Sequence, residues 1–531
     1  MVIGKRERGM RGAVAAGHPL TMQAGARVLE EGGNAVDACV AAAFASWVAE
    51  SPLTGPGAGG FALVHSADGR RERLADFFVA TPGQGIERGR NSEMHAVDVE
   101  FGGDAPATQV FRIGAPSCAV PGAAAGLEAL HRAYGALPWA ELLAPAVELA
   151  RGGVEVSRPQ AHLHAILDLI LRHTDEGRRL YSGPDGSRLV AGDELRLPDL
   201  GDTLEQIALG GAAVLYRGEL AEAIVRTVAD GGGNLTRDDL AAYRVVWRRP
   251  LRVSYGGHQV VSNPPPSSGG ILILYGLALL ERLSGARTEG VSAAGALIEV
   301  MREQTRARDD RFLAGLRRGG LARELLGDAR LEAAVARITE RAPTLLEAAP
   351  YGGTTHISVV DGAGNAAALT CSTGSGSGVI VPGTGIQLNN MLGEYDLASG
   401  GTPMPGRRLT SMMSPTLVLG EHGTPRLVVG SAGSVRLRGA IMQTIVNVVT
   451  HGLPVGEAID RPRVHVDEPH VHCEGGFDPA TLDALEALGY DVVRWRRRNL
   501  FFGGTNAVEM RPDGSLAAAG DPRRGGAGTV V

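Results

Sequence analysis

A threonine follows a pair of glycines near the middle of the chain and opens a run of strand-forming residues. The run begins Gly352-Gly353-Thr354 and continues to Asp361. A hydroxyl placed directly after a flexible glycine pair suits a chain that cleaves itself there and then uses the new N-terminal threonine as a nucleophile. A free α-amine has a pKa of about 7.7–8.0, so it can act as the base for the hydroxyl of its own residue. Taken by itself, the run also fits a turn that enters an ordinary buried strand.

The composition is that of a large globular protein that depends on neither nucleic acid nor a membrane. The chain has 531 residues and a net charge of −6, and its basic clusters are short. Nucleic acid as a main partner would require a basic face, so we expect no such partner. No apolar stretch reaches the length of about 18 residues that a membrane span needs. No apolar segment follows the charged N-terminus either, so we expect no secretory signal.

The cysteines and histidines indicate no metal centre, and we expect no cofactor. Four cysteines lie far apart without a CxxC spacing, which favours reduced, buried thiols and a cytoplasmic location: Cys39, Cys118, Cys371 and Cys473. A histidine-rich segment fits no zinc-binding spacing and is assigned to a solvated loop: His465, His470 and His472. His356, close to the threonine, and Cys371, in a predicted strand, are interpreted as structural residues.

Periodic patterns predict different structures before and after the glycine pair. A hairpin is predicted from Phe61 to His65 and from Arg73 to Phe78, after a glycine loop. The pattern is mostly helical from about 120 to 330, with one long helix from Ala293 to Arg317. Strand-like runs follow the threonine, from Thr355 to Val360 and from Ala366 to Ser372, and helices come between later strands. This order of elements predicts an α+β fold with layered sheets and helices.

Short motifs spread over nearly the whole chain occur in one specific order. They are Glu31 to Ala38, Val120 to Gly122, Asp239 to Tyr243, Asn263 to Gly270, Thr354 to His356, Leu388 to Asn390, Met413 to Thr416 and Gly520 to Arg523. In this order they resemble the γ-glutamyltransferase (glutathione hydrolase) family of N-terminal-nucleophile hydrolases. The resemblance implies a four-layer αββα sandwich, autoprocessed into a large subunit, residues 1–353, and a small subunit, residues 354–531. The two fragments would stay associated, and a higher oligomer is left open.

The resemblance also implies which residues carry the chemistry. The Thr354 hydroxyl would attack the carbonyl of Gly353 and, once the chain is cleaved, would take an acyl group from a small amide substrate. Water or an acceptor amine would then accept that group. Ser372 matches a family hydroxyl near the nucleophile. Gly433 and Ser434 match the pair whose backbone N–H groups form the oxyanion hole.

The acyl-binding positions depart from the family pattern. Phe78 stands where the family has an arginine for the glutamyl carboxylate. A charge-assisted hydrogen bond contributes about 1.5–3 kcal/mol, so losing it disfavours a glutamyl group and favours an apolar or differently shaped one. As an alternative, Arg407 or Arg408 could reach in and restore the carboxylate site. The other altered positions are Gly374, Met391, Glu394, Ser411 and Met412.

Several functions stay open at this point. The leading hypothesis is a γ-glutamyltransferase-like amide hydrolase with a modified acyl pocket. It would act on γ-glutamyl compounds or on a non-glutamyl acyl group, of oxalyl type or from a natural-product pathway, including C–C cleavage. The short segment from Leu397 to Arg408 predicts an open cleft that admits a bulky substrate. A non-catalytic binding protein on the same fold would stay uncleaved, and a metal hydrolase would need a ligand cluster that the sequence lacks.

Overall fold

Helices and strands are distributed along the whole of the described chain. The computed structural model describes residues 11–69, 72–86, 92–100, 108–283, 290–340, 353–394, 397 and 404–531. The helices are α1 (Pro19–Glu30), α2 (Ala35–Ala49), α3 (Ala123–Tyr134), α4 (Trp139–Gly152), α5 (Arg158–Ile166), α6 (Asp168–Leu171), α7 (Asp175–Tyr181), α8 (Pro198–Gly210), α9 (Glu219–Asp230), α10 (Arg237–Ala242), α11 (Ser268–Arg282), α12 (Val291–Arg306), α13 (Asp310–Arg318), α14 (Leu321–Leu325), α15 (Asp328–Glu340), α16 (Arg436–Val449), α17 (Val455–Asp460) and α18 (Pro479–Ala487). None of them is long and apolar enough to cross a membrane.

The strands are labelled in the same way. They are β1 (Gly12–Ala16), β2 (Gly59–His65), β3 (Arg73–Phe77), β4 (His95–Glu100), β5 (Thr108–Ile113), β6 (Val154–Glu155), β7 (Glu194–Leu195), β8 (Val246–Arg248), β9 (Leu251–Tyr255), β10 (His258–Ser262), β11 (Thr355–Asp361), β12 (Ala366–Ser372), β13 (Ile380–Val381), β14 (Ile386–Gln387), β15 (Thr416–Leu419), β16 (Pro425–Ala432), β17 (Val464–Asp467), β18 (His470–Cys473), β19 (Asp491–Arg494), β20 (Gly504–Met510), β21 (Leu516–Ala519) and β22 (Ala527–Val530).

Antiparallel pairing joins most of these strands into two large sheets. The strand order is β22-β1-β11-β12-β2-β3-β8 in the first sheet and β21-β20-β16-β15-β10-β9 in the second. Both sheets take strands from each side of residue 354, because β11 pairs with β1 and β10 pairs with β15. Residues 1–353 and 354–531 therefore share their sheets and do not form separate domains.

The two sheets pack face to face, and helices cover their outer faces. Successive side chains of a strand point to opposite faces. In β11, Ile357 and Val359 belong to the core formed with α2, whereas His356 and Ser358 point to the second sheet. The outer face of the second sheet contacts α11 and α16. Helices therefore pack against both sheets, and the two sheets contact each other.

The innermost helix, α2, is set by a local capping signal and by its small residues. The Asn34 side chain accepts hydrogen bonds from the backbone N–H groups of Val36 and Asp37, at 2.9 and 3.0 Å, and the Asp37 carboxylate accepts one from the Asn34 N–H. This reciprocal arrangement is a capping box, and it fixes where the helix begins. Every residue of α2 is buried, because alanines let the helix lie close to α1 and the sheet.

One predicted helix is wrong, and several short strands were not predicted. The long helix predicted from Ala293 to Arg317 is two helices, because Asp309 caps a new start by accepting a hydrogen bond from the Phe312 N–H at 2.8 Å. The mostly helical stretch also contains the strands β8, β9 and β10, and the sequence analysis did not identify the alternation of apolar and polar residues in β9.

The segment with three histidines is a hairpin and not the solvated loop that its polar sequence predicts. His465 lies in β17 and His472 in β18, and both side chains are buried. The ring of His472 accepts a hydrogen bond from the indole N–H of Trp495 at 3.1 Å. Aromatic neighbours from a distant part of the chain therefore cover the histidines, and the local sequence gives no signal of this.

Candidate active site

Thr354 lies at the end of two paired strands of the first sheet, where β11 begins and β12 ends. Thr355 pairs with Cys371, so continuing the antiparallel register by one residue sets Thr354 opposite Ser372. The sequence predicts both strands almost to the residue, since they are continuous runs of β-branched and small apolar residues. The two hydroxyl residues named from the motifs are therefore neighbours in the fold.

Hydroxyl groups surround the peptide bond that precedes Thr354. The Thr354 Oγ1 donates a hydrogen bond to the carbonyl oxygen of Gly353 at 2.7 Å, and the Ser372 Oγ donates to the same oxygen. The Gly374 N–H donates to the Ser372 Oγ at 2.8 Å, and the Gly353 N–H donates to the Gly374 carbonyl at 3.0 Å. Two donors on one carbonyl oxygen draw electrons from its carbon and favour attack there. Gly352 lies outside the described residues.

A tight turn after β16 carries the two residues predicted for an oxyanion hole. Gly433 has a φ of 123° and Ser434 a φ of 53°, and the second value is uncommon for a residue other than glycine. The turn leads into α16, and the N-terminal end of a helix favours negative charge. Ser434 lines the same cavity as Thr354, and Gly433 lies directly beside it in the chain. The oxyanion role of this pair stays a prediction.

Next to Thr354 is a cavity of about 380 Å³, which we call the acyl cavity. It brings together the positions that the sequence analysis selected for acyl binding: Phe78, Met391, Glu394, Ser411 and Met412. Further apolar side chains complete its wall, and sequence reasoning did not assign them to it: Leu397, Met413 and Leu437. Among the described residues of the lining there is no arginine or lysine. The only charged side chain in that lining is the carboxylate of Glu394.

Neither of the arginines considered as a replacement lines the acyl cavity. The Arg408 guanidinium lies 4.3 Å from the centre of the Tyr243 ring, and its Nε is 3.4 Å from a carboxylate oxygen of Asp76. Arg407 is exposed. Phe78 occupies the arginine position with a buried ring. In the described part of the chain, no cation therefore faces a carboxylate placed in this cavity. Part of the predicted short lid, residues 398–403, lies outside the described residues.

The glycine that replaces a family asparagine is required by its neighbours. Gly374 has a φ of 75°, and a Cβ there would collide with the Asn390 side-chain oxygen. That oxygen is held in place, because it accepts a hydrogen bond from the Ser375 N–H at 2.9 Å. The Asn390 amide also donates to the Ser375 hydroxyl at 2.7 Å. The change at Gly374 is therefore built into the packing of the loop.

A second cavity, of about 670 Å³ including the space open to solvent, also borders Thr354. Among the described residues, Thr354 is the one residue that both linings share. Its lining combines apolar residues, such as Pro52 and Leu53, with polar or charged side chains that sequence reasoning missed, among them His18, Glu50, Gln160, Asn506 and Arg524. The one signal in the sequence was the position of Arg524 directly after the motif Gly520 to Arg523.

Two ionisable groups in the second cavity have shifted pKa values. Burial raises the pKa of Glu50 to about 6, although the hydroxyls of Thr21 and Thr355 donate to its carboxylate at 2.8 and 2.6 Å. Burial lowers the pKa of Arg524 to about 10. The Nε of Arg524 is buried and has no hydrogen-bond partner among the described residues. This cavity therefore contains a cation whose hydrogen bonds are not satisfied within the described chain.

The histidine and cysteine near Thr354 take no part in the reacting group. The Nδ1 of His356 lies 2.8 Å from the Thr370 hydroxyl and its Nε2 lies 2.9 Å from the Ser358 hydroxyl. Burial lowers the pKa of His356 to about 3 and raises the pKa of the Cys371 thiol to about 11. A neutral, fully bonded imidazole and a buried thiol agree with a structural interpretation of both.

Comparisons with known proteins extend over the whole chain. The family model for gamma-glutamyltranspeptidase matches residues 21–531. The chain is 33% identical to a glutathione hydrolase proenzyme of Escherichia coli, over 97% of this chain and 91% of that protein. It is also 33% identical to the acylase ACY 1 proenzyme of a Pseudomonas species, over 97% of this chain and 92% of that protein. The structure of a cephalosporin acylase from Bacillus halodurans is similar with a TM-score of 0.82 at 27% identity, covering 100% of this chain and 98% of that one.

Proposed function

Because the chain belongs to the gamma-glutamyltranspeptidase family, we propose that it cleaves itself before Thr354 and then hydrolyses an amide whose acyl group is apolar and not γ-glutamyl. One observation supports the choice of acyl group. The acyl cavity is lined by one phenylalanine, three methionines and two leucines, with no cation among its described residues. A γ-glutamyl group carries an α-carboxylate, and burying that charge without a partner is costly.

The first reaction acts on the chain itself. The Thr354 hydroxyl attacks the carbonyl carbon of Gly353, a C–O bond forms, and the C–N bond to Thr354 breaks. The hydroxyl proton ends on the Thr354 nitrogen, which becomes a free amine. Water then hydrolyses the ester and leaves a carboxyl group on Gly353. The hydrogen bonds that Thr354 and Ser372 make to the Gly353 carbonyl support this step.

The second reaction acts on the substrate and uses the same hydroxyl. The Thr354 Oγ attacks the substrate carbonyl, and its proton passes through the α-amine to the nitrogen of the leaving amine. The acyl group is then an ester of Thr354. Water hydrolyses the ester and releases the acid, or an acceptor amine takes the acyl group instead. Backbone N–H groups of Gly433 and Ser434 would stabilise the charge that develops on the carbonyl oxygen.

The relatives are consistent with this proposal, but their sequence identity to the chain does not indicate which acyl group it binds. The glutathione hydrolase proenzyme and the acylase ACY 1 proenzyme are equally similar to the chain, at 33% identity. The side chains of the acyl cavity support a choice between the two kinds of activity. They favour acylase activity, because Phe78 and Met412 offer a carboxylate no hydrogen-bond donor.

A panel of 4-nitroanilides tests the proposal on purified protein. Mass spectrometry should first show two fragments, residues 1–353 and 354–531. Release of nitroaniline is then compared for γ-glutamyl, hexanoyl and phenylacetyl anilides. We expect kcat/KM for the better apolar anilide to exceed that for the γ-glutamyl anilide at least about tenfold. This ratio corresponds to the free energy that one charge-assisted hydrogen bond contributes. A single intact chain, or γ-glutamyl turnover equal to or above that of both apolar anilides, would overturn the proposal.

A further inference from the structure

We propose that the second cavity binds the amine part of the amide substrate, and that Arg524 binds a carboxylate carried by that part. This inference rests on the proposed function, because it takes Thr354 as the residue that attacks the amide. It assigns to the protein a preference for amides of anionic amines, such as amino acids or aminobenzoates. Its support comes from the positions of the two cavities, the hydrogen bonds of Arg524 and the charges that face it.

The bond that the chain itself presents to Thr354 shows the direction of an amide in the site. Gly353, on the acyl side of that bond, lines the acyl cavity and not the second cavity. Thr354 lines both. An amide whose carbonyl lies at the Thr354 hydroxyl, with its acyl part in the acyl cavity, must direct its amine part away from that cavity. The second cavity borders Thr354 and Thr355, the residues on the amine side of that bond.

Arg524 differs sharply from the arginine that precedes it. The Arg523 guanidinium is fully buried in an ion-pair network, 2.5 Å from a carboxylate oxygen of Glu474 and 3.2 Å from one of Asp521. Arg523 therefore has a structural role. The Nε of Arg524 is buried without a hydrogen-bond partner among the described residues, and Arg524 lines the second cavity.

The acid nearest in the cavity lining does not neutralise Arg524 by contact. Both carboxylate oxygens of Glu50 accept hydrogen bonds from hydroxyls, those of Thr21 and Thr355. Asp521 and Glu50 both attract Arg524, but among the described residues neither forms an ion pair with it within 4.0 Å, so both attractions are longer-range ones. The guanidinium fork of Arg524 therefore remains available for two parallel hydrogen bonds to a planar carboxylate.

The amide side chains of the cavity are already occupied. The Asn506 amide donates to the His356 carbonyl at 2.8 Å, and its oxygen accepts from the Asp521 N–H at 3.2 Å. The Gln160 amide donates to a backbone carbonyl of α2, and its oxygen accepts from the Ser157 N–H at 2.9 Å. With these two amides occupied and Arg523 held in ion pairs, Arg524 is the arginine of this lining that can face an anion.

Two anilides with the same acyl group test the assignment. The acyl group is the one that gives the highest turnover in the panel, and the leaving amine is either 4-nitroaniline or 3-carboxy-4-nitroaniline. In Arg524→Met we expect the ratio of kcat/KM for the carboxylated anilide over the neutral one to fall about tenfold or more. Arg524→Lys should restore part of the ratio. Arg497→Met, which changes an exposed arginine outside both cavities, should leave it as in the wild type.

A measurement on the wild-type protein keeps the test independent of folding in the variants. Turnover of the neutral anilide is inhibited with 3-carboxy-4-nitroaniline or with its uncharged carboxamide. The carboxylate should inhibit at a concentration about tenfold or more below that of the carboxamide. If Arg524→Met fails to fold or to cleave itself, the comparison of the two inhibitors decides whether the second cavity binds a carboxylate.

The outcomes separate the inference from the function on which it rests. If the neutral anilide is not hydrolysed, or is hydrolysed equally by Thr354→Ala, the proposed function fails. If it is hydrolysed through Thr354 but the kcat/KM ratio is the same in Arg524→Met and the wild type, the inference about Arg524 is wrong. Equal inhibition by the carboxylate and the carboxamide would also overturn it.

Discussion

The acyl cavity and the second cavity meet at Thr354 and differ in the charge they offer. The acyl cavity is apolar, with one carboxylate, Glu394, in its described lining. The second cavity also has many apolar side chains in its lining, such as Pro52 and Leu53, but it contains the guanidinium of Arg524. Under our proposals, the group that recognises a substrate carboxylate is on the amine side of the reacting bond and not on the acyl side.

The difference also shows which parts of the fold can change without moving the reacting groups. Thr354 and Ser372 are held by adjacent strands in the middle of a seven-stranded sheet, a position set by long ladders of backbone hydrogen bonds. Phe78, Met391 and Met412 come from segments outside the strands. Replacing such side chains alters what the cavity binds but leaves the strand register unchanged, so substrate specificity and chemistry are separable in this protein.

The largest expected effect is at the residue that both cavities share. Thr354→Ala removes the hydroxyl, so we expect neither chain cleavage nor measurable anilide hydrolysis. Thr354→Ser keeps a hydroxyl and should still give two fragments, with reduced turnover. Denaturing electrophoresis and nitroaniline release measure the two properties. Normal cleavage or turnover in Thr354→Ala would mean that the two cavities do not meet at a nucleophile.

The next effect is expected at the neighbouring hydroxyl. Ser372→Ala removes one of the two donors to the Gly353 carbonyl, and loss of such a donor typically slows an acyl transfer by about 10²–10³-fold. We expect self-cleavage to slow by about this factor, measured as the half-time for appearance of the two fragments. Ser372→Thr retains the hydroxyl and serves as the control. Equal half-times for the wild type and Ser372→Ala would show that the second donor is not needed.

Much of the fold could be predicted from local sequence. The strand predicted from Ala366 to Ser372 has these bounds in the structure, because it is a continuous apolar run ended by a turn. The strand after Thr354 extends one residue beyond its prediction, to Asp361. The short strands β8, β9 and β10 and the hairpin with His465 and His472 were not predicted. The burial of the two histidines depends on side chains elsewhere in the sequence, such as Trp495, and local periodicity contains no information on these. The alternation of apolar and polar residues in β9 was a local signal that the sequence analysis did not use.

The residues of the candidate site also fall into a group that the sequence predicted and a group that it did not. The motifs predicted which residues would border Thr354 on the acyl side, and the structure brings them to one cavity. They gave no signal for Glu50, which ends α2, or for Gln160, which lies in α5. These residues reach Thr354 only because α2 and α5 lie close to the start of β11. A cavity made by packing between distant elements cannot be read from the spacing of residues within one motif.

A third prediction concerns a substitution that should shift the preference of the acyl cavity from an apolar acyl group towards a γ-glutamyl group. Phe78→Arg places a cation where the cavity has an aromatic ring, so a γ-glutamyl carboxylate would gain a charge-assisted partner. We expect the ratio of kcat/KM for the γ-glutamyl anilide over the hexanoyl anilide to rise about tenfold. Phe78→Leu changes size without charge and should not raise the ratio. An unchanged ratio in a folded, cleaved Phe78→Arg protein would mean that charge at this position does not set the acyl preference.

The smallest expected effect is on stability and comes from the buried acid of the second cavity. Burial raises the pKa of Glu50 to about 6 from its ordinary value of 4.5, so the folded chain binds this proton more tightly than the unfolded chain does. The resulting stabilisation is fully present below about pH 4.5 and is lost as the pH rises through about 6. In Glu50→Gln the side chain cannot ionise, and its amide can still meet the hydroxyls of Thr21 and Thr355. Relative to the unsubstituted protein, this variant should therefore gain on the order of 1–2 kcal/mol of unfolding free energy between pH 4.5 and 7.5.

Urea unfolding measures this gain in the uncleaved Thr354→Ala background, where the chain unfolds as one piece. The exposed Glu332→Gln serves as the control, because its carboxylate is solvated in both the folded and the unfolded chain. Its unfolding free energy should follow that of the parent protein across the same pH range. If the difference between Glu50→Gln and its parent stays constant with pH, burial does not hold the Glu50 acid in its neutral form.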